Sequence, residues 1–128
     1  MRKSYPLVVG GAPMAYAKGV LGEGRFVFLS GVLDAHGALS EQVPAVWDTI
    51  KARLEELGSR CENIVQRMTF VTDIAAWRAE GSPAQTAWLQ HHAPSLLNEQ
   101  PAGTLVQIVA LAQPGAMVEI QVVAVAEA

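Results

Sequence analysis

One cysteine, Cys61, stands in 128 residues, so no internal disulfide can form. No apolar run approaches the roughly 20 residues that cross a bilayer, because Gly, Gln, Asp or Glu interrupts every greasy stretch. The Met-Arg-Lys-Ser-Tyr-Pro start lacks the apolar core of a secretory signal, which makes a cytoplasmic location the expectation. Positive charge is also scarce. Nine scattered Lys and Arg against twelve Asp and Glu give a net charge of -3, with no basic stripe to meet a phosphate backbone. Neither nucleic acid nor membrane is expected as a partner. Charged residues make up only 16% of the chain while 51% is hydrophobic, and so small a protein has little polar surface to cover itself. Self-association is the simplest use of that excess.

The length suits one domain over residues 1–128, with no repeat, linker or low-complexity run. Met14 to Leu21 and Arg25 to Ser30 read as strands, and Gly22-Glu23-Gly24 has the chemistry to close them into a hairpin. In Phe26-Val27-Phe28-Leu29 both faces are apolar, which predicts cover on both sides. Ser40 can cap a helix whose stripe is Val43, Val46, Trp47, Ile50, Leu54 and Leu57, with Gly58 ending it. Ile64 to Thr72 reads as a strand. Ser82-Pro83 opens a second helix with Ala87, Trp88 and His91 inward, and Pro94 closes it. After a loop over Ser95 to Pro101, Thr104 to Leu111 and Met117 to Ala126 read as strands, with a turn at Gln113-Pro114-Gly115. The predicted order ββαβαββ is that of an α/β (α+β) two-layer sandwich with both helices on one sheet face. In the last strand Val118, Ile120 and Val122 form an apolar face, and Glu119, Gln121 and Val123 a mixed one, assigned to a subunit interface.

Five segments in register resemble the RidA (YjgF) family of enamine/imine deaminases. They are Ala15-Tyr16-Ala17-Lys18-Gly19-Val20, Phe28-Leu29-Ser30-Gly31, the helix from Trp47 to Gly58, the strand ending Phe70-Val71-Thr72-Asp73, and Pro101-Ala102-Gly103-Thr104 with Val118-Glu119-Ile120. The resemblance runs from about Pro13 to about Ala126. It implies a chorismate-mutase-like fold, a homotrimer with pockets at the subunit boundaries, and cofactor-free hydrolysis of enamines and imines to a carbonyl compound and ammonia. It also implies a small-molecule partner, a carboxylate at Glu119 that helps hold the attacking water, and Tyr16 at the pocket.

The sequence departs from that family at one decisive place. Its founding members carry Pro-Ala-Arg-Ser, whose arginine forms a bidentate pair with the substrate carboxylate, and here the residue is Gly103. No backbone group reproduces such a pair. Leu105, where many relatives have Cys, and Val32-Leu33 also make the pocket more apolar. The chain therefore groups with members lacking the arginine, and the expected activity is that of a cofactor-free hydrolase or lyase on the C–N bond of a small imine, enamine or related amino compound with an apolar or aromatic body, as for relatives of the 2-aminomuconate deaminase type.

Residue by residue, Glu119 carries the catalytic expectation, since a mid-strand carboxylate is costly without partners or a task; a structural pair across an interface is the alternative. Tyr16 is either a phenol donor or packing. Ser30 and Gly31 end a strand where backbone can approach a ligand, unless Gly31 serves the turn. The Thr104 hydroxyl and the Leu105 backbone N–H suit a developing negative charge; a strand residue with no task is the alternative for Thr104. Arg25, Arg67 and Lys18 are candidate substitutes for the lost arginine, though solvated or interface charges are the commoner use of such residues. His91 and His92 are adjacent and cannot clamp one metal ion as an i, i+4 pair would, so neither metal nor cofactor is expected. Cys61 has no His near it to make it a nucleophile, Trp47 and Trp88 suit core contacts, and Gly10-Gly11 reads as a loop. The rival functions are a non-catalytic metabolite-binding trimer and a chaperone-like interaction protein, with an endoribonuclease role weakest.

Overall fold

A computed structural model describes residues 1–127. The chain opens with two long strands, β1 (Arg2–Val9) and β2 (Ala12–Gly22), which pair antiparallel as a separate two-stranded sheet. Gly10 and Gly11 turn the chain between them with φ of 59° and 80°, the left-handed pair that a tight two-residue hairpin demands. The hairpin expected at Gly22-Glu23-Gly24 is therefore displaced. Both glycine loops carry turn chemistry, but only the first joins paired strands. The short β3 (Phe26–Phe28) crosses to the main sheet and pairs with the last strand.

That main sheet runs β3-β7-β5-β6, with β4 (Val32–Leu33) also on β7 (Val118–Val125). β5 (Ile64–Val71) pairs antiparallel with β7 and parallel with β6 (Ala102–Gln107). The last two strands are thus not neighbours, and β6 lies on an edge. Register puts Arg67, Thr69 and Val71 of β5 beside Val122, Ile120 and Val118 of β7. Those three β7 residues are buried under the helices, so this is the covered face. Glu119, Gln121 and Val123 point the other way, where Phe26 and Phe28 stand exposed. Cover on both faces, as expected for the Phe26 to Leu29 strand, is not provided within one chain.

Helix α1 (Leu39–Glu56) buries Val43, Val46, Trp47, Ile50 and Leu54 completely, as its spacing predicts. Leu57 lies one residue beyond the helix and is exposed, and Gly58 follows in the left-handed conformation, φ 82°. Ser40 is not the cap. Ala38 holds that position, and its N–H donates to Glu41 Oε1 at 3.0 Å.

A residue that apolar periodicity does not single out, Gln42, is fully buried in α1. Its amide donates to the Gly37 and Gly115 carbonyls at 3.2 and 3.0 Å, and its Oε1 accepts the Met117 N–H at 2.9 Å. One side chain so ties the loop before α1 to the entry of β7. Gln42→Leu is expected to lower stability by about 1–3 kcal/mol by stranding these buried groups, read by urea denaturation.

The second helical segment starts earlier than Ser82. Asp73 caps it, accepting the Ala76 N–H at 3.0 Å, and the chain runs through α2 (Ile74–Ala76) and a π-turn (Trp77–Gly81) into α3 (Ser82–His92). Its inner face is Gln85, Trp88 and Leu89; Ala87 and His91 are exposed. The Trp47 and Trp88 rings stack with centroids 5.4 Å apart, and each indole finds a partner, Trp47 Nε1 donating to Gln85 Oε1 at 3.1 Å and Trp88 Nε1 to Asp48 Oδ1 at 2.8 Å. A further turn of helix, α4 (Ser95–Asn98), occupies the expected loop.

Candidate functional site

The expected site residues fall into two groups on opposite sides of the sheet. The first lies where β3 gives way to β4. Both strands pair with β7, and the Leu29 N–H donates to the Val122 carbonyl between them, so they are one edge strand interrupted at Ser30-Gly31. Glu119 sits in register with Leu33 on one side and Phe70 on the other. It is half-buried, and no ion pair holds it among the described residues. A Cβ at position 31 would lie 2.8 Å from the Glu119 carboxyl carbon and closer still to Oε2. Gly31 is therefore glycine for space, since its φ is not in the left-handed region. The bare backbone there is the seat of the carboxylate, and exposed Ser30 flanks it.

The second group surrounds a cavity of about 210 Å³ between the covered sheet face and the second helical segment. Tyr16 of β2, Thr104 and Leu105 of β6, Arg67 and Thr69 of β5, and Trp77, Arg78, Ser82 and Gln85 of the helices line it, with Ala15. Gly103 lies against it in register with Arg67. A Cβ there would meet Tyr16 Cδ1 at 3.0 Å and the Arg67 carbonyl at 3.3 Å, so the tyrosine ring rests on the glycine. Tyr16, Gly103, Thr104 and Leu105 are thus brought together, while Ser30, Gly31 and Glu119 do not reach this cavity within one chain.

Of the three cations weighed as substitutes for the missing arginine, only Arg67 faces this cavity. Arg25 and Lys18 lie at other surface hollows. Arg67 is 5% exposed, and its Nη1 is buried without a hydrogen-bond partner. Burial pushes its pKa down to about 10, partly opposed by nearby Tyr16, which leaves it cationic at neutral pH. Thr69, Gln85, Trp77, Arg78 and Ser82 were not singled out from the sequence. The signal for Thr69 was the strand period, which places it two residues from Arg67 on the same face. Trp77 and Arg78 needed the earlier start of the second helix, while Ser82 and Gln85 lie within the predicted helix but are polar and fall outside its apolar face.

Remaining sequence candidates separate cleanly from both groups. Burial, with neighbouring Glu62, pushes the Cys61 thiol up to about 12, far from a nucleophile. His91 and His92 stand exposed at the end of α3, one ring edge-on to the other. No cluster of three His, Cys, Asp or Glu side chains able to hold a metal occurs among the described residues, and no helix of theirs is long and apolar enough to cross a membrane.

Residues 11–126 match the family described as endoribonuclease L-PSP. The chain belongs to that family. It is the RidA/YjgF/YER057c/UK114 family, and the match takes in every element from β2 to β7. A YjgF-family protein from Neisseria meningitidis is 26% identical, with TM-score 0.70, over 100% of this chain and 97% of its own. The YjgF gene product of E. coli shares the fold at 23% identity and TM-score 0.68, over 95% of this chain and 93% of its own. A YjgF/YER057c/UK114 member from Mycobacterium tuberculosis does so at 22% and 0.67, over 98% and 99%. No curated protein matches the chain. The L-PSP fold is thus the α+β sandwich expected from the sequence, a mixed sheet with helices packed on one face.

Proposed function

We propose that this L-PSP-family chain hydrolyses the C=N bond of small imines, or of enamines after their tautomerisation, without a cofactor, as one of the members that lack the arginine at position 103. The observation that carries this reading is Glu119, a half-buried carboxylate with no ion-pair partner among the described residues, seated against a glycine whose missing side chain makes room for it. Keeping a carboxylate there costs folding energy unless it has work to do. In the reaction it accepts a proton from water as the water oxygen adds to the imine carbon and passes it to the imine nitrogen, giving a carbinolamine. It then takes the carbinolamine hydroxyl proton and delivers it to the nitrogen as the C–N bond breaks, so that water and imine become a carbonyl compound and ammonia. The Thr104 hydroxyl and the Leu105 N–H, with Tyr16, hold the polar end of the substrate. The apolar contribution of Leu105 suits a substrate with an aliphatic or aromatic body, of the sort formed in degradation.

The reading includes the oligomer. The sheet face bearing Glu119 is bare in one chain, with Phe28 74% exposed and Phe26 42%, and an apolar surface of that kind calls for a partner. Three copies would close it and bring the Tyr16 cluster of one chain toward Glu119 of another. Light scattering is expected to give three times the 13.6 kDa of the chain; the mass of one chain would remove the site.

The test of the chemistry is ammonia release from imines generated in situ by an amino-acid oxidase. Wild-type protein is expected to accelerate it, and Glu119→Gln to lose about 10²–10⁴-fold, the usual worth of a positioned general base. An unchanged rate in Glu119→Gln would sink the reading in favour of a binding trimer.

A further inference from the structure

Three of the five buried polar or charged side chains, Arg67, Thr69 and Gln85, face one cavity. The other two are spent on the backbone. Gln42 bonds the loops described above, and the Ser59 hydroxyl donates to the Val125 carbonyl at 2.6 Å. Gln85 is already oriented by Trp47. An indole N–H can only donate, so the oxygen of the Gln85 amide takes that bond and its NH2 group is left for another partner. Arg67 has five donors and, at Nη1, none satisfied.

We propose that this cavity is a carboxylate-binding site and that Arg67 is the residue that selects the anion. Everything polar on its wall can donate: Arg67, Arg78, the Gln85 amide and the hydroxyls of Thr69, Ser82, Thr104 and Tyr16. No acidic side chain lines it. A planar guanidinium takes a carboxylate through two parallel bonds, which would give Nη1 the acceptor it lacks. The charge count favours a monoanion. One cation is buried, whereas Arg78 is exposed, so a second negative charge would have to rely on a screened partner. At about 210 Å³ the cavity lies below the roughly 300–1,000 Å³ of sites for drug-sized ligands. Trp77 and Leu105 supply an apolar wall. The occupant is a small carboxylic acid with a hydrocarbon body. The site is built within one chain and needs no turnover; only the further identification of its anion with the substrate's own carboxylate rests on the reading above.

Calorimetric titration of the whole protein with isobutyrate and with benzoate, and separately with inorganic phosphate, tests this. At least one carboxylate is expected to bind saturably, more tightly than phosphate. Arg67→Met is expected to weaken it at least tenfold, and Arg67→Lys to retain part of the affinity. Should Arg67→Met not fold, Gln85→Leu, which removes a donor from the same wall, is expected to weaken binding in the same direction. Saturable carboxylate binding by wild-type protein that releases no ammonia from imines would uphold this site while sinking the hydrolytic reading, which keeps the two failures apart. No saturable carboxylate binding, equal binding by wild type and Arg67→Met, or a preference for phosphate would overturn the proposal.

Discussion

Gly31→Ala is expected to cost nearly as much activity as Glu119→Gln while leaving the fold intact. The added methyl would occupy space now filled by the Glu119 carboxyl group. The backbone at position 31 is in no conformation that excludes alanine. What stands in the way is the far end of a flexible side chain, so the strands need not move and the loss of stability should stay within about 1 kcal/mol. The carboxylate, however, has to leave. A general base displaced by an ångström or so forfeits about 10²-fold in rate. The informative comparison is between ammonia-release rate and melting temperature in the same preparation. A large fall in rate with little change in melting temperature fits a catalytic carboxylate placed by Gly31. An unchanged rate would mean that Glu119 has no part in the chemistry.

The two site groups were unequally legible in the sequence, for a physical reason. Glu119 announces itself because Val118 and Ile120 flank it in an alternating strand, and alternation alone fixes which face each residue takes. Gly31 is harder to read, since the atom it makes room for comes from β7, far along the chain. Arg67 illustrates the limit best. A lone arginine in a strand is most often solvated, and the alternation of Gln66, Arg67, Met68 and Thr69 does not say which face is covered. Only the register with Val122 and Ile120 puts Arg67 beneath the helices. In the same way the stripe of α1 was readable from its own period, whereas β1 was not. Arg2 to Val9 carries Pro6 between a polar start, Arg2-Lys3-Ser4, and an apolar end, Leu7-Val8-Val9, with no alternation to mark a face, and it is held by its hairpin and by long-range bonds. Arg2 donates to the Ile64 and Glu99 carbonyls and the Ser4 hydroxyl to that of Gln100, each at 2.6 Å.

Arg67→Met should make the protein more stable, the reverse of the usual outcome at a buried position. Methionine keeps the unbranched stem and can fill an irregular gap, while the variant no longer desolvates a charge that has no partner. Relief of a buried unsatisfied group is worth about 1–3 kcal/mol or more when the group is charged. In a domain of this size each kcal/mol moves the melting temperature by about 3–6 °C. The pH dependence follows from the direction of the shift. Burial holds the folded-state pKa near 10, below the 12.5 of a free guanidinium. Both folded and unfolded chains are then protonated below pH 10, so the penalty is present in full and the gap between variant and wild type should be flat from pH 6 to 9. It should narrow only above pH 10, as the folded state gives up its proton first. An ion pair with a hidden carboxylate would behave otherwise: the variant would be the less stable protein at neutral pH, and its deficit would shrink in acid. Adding a bound carboxylate should close the gap from the other side, by stabilising wild type and not Arg67→Met. A residue that weakens the empty fold and strengthens the occupied one is retained for its ligand, and melting curves with and without isobutyrate measure both halves of that statement.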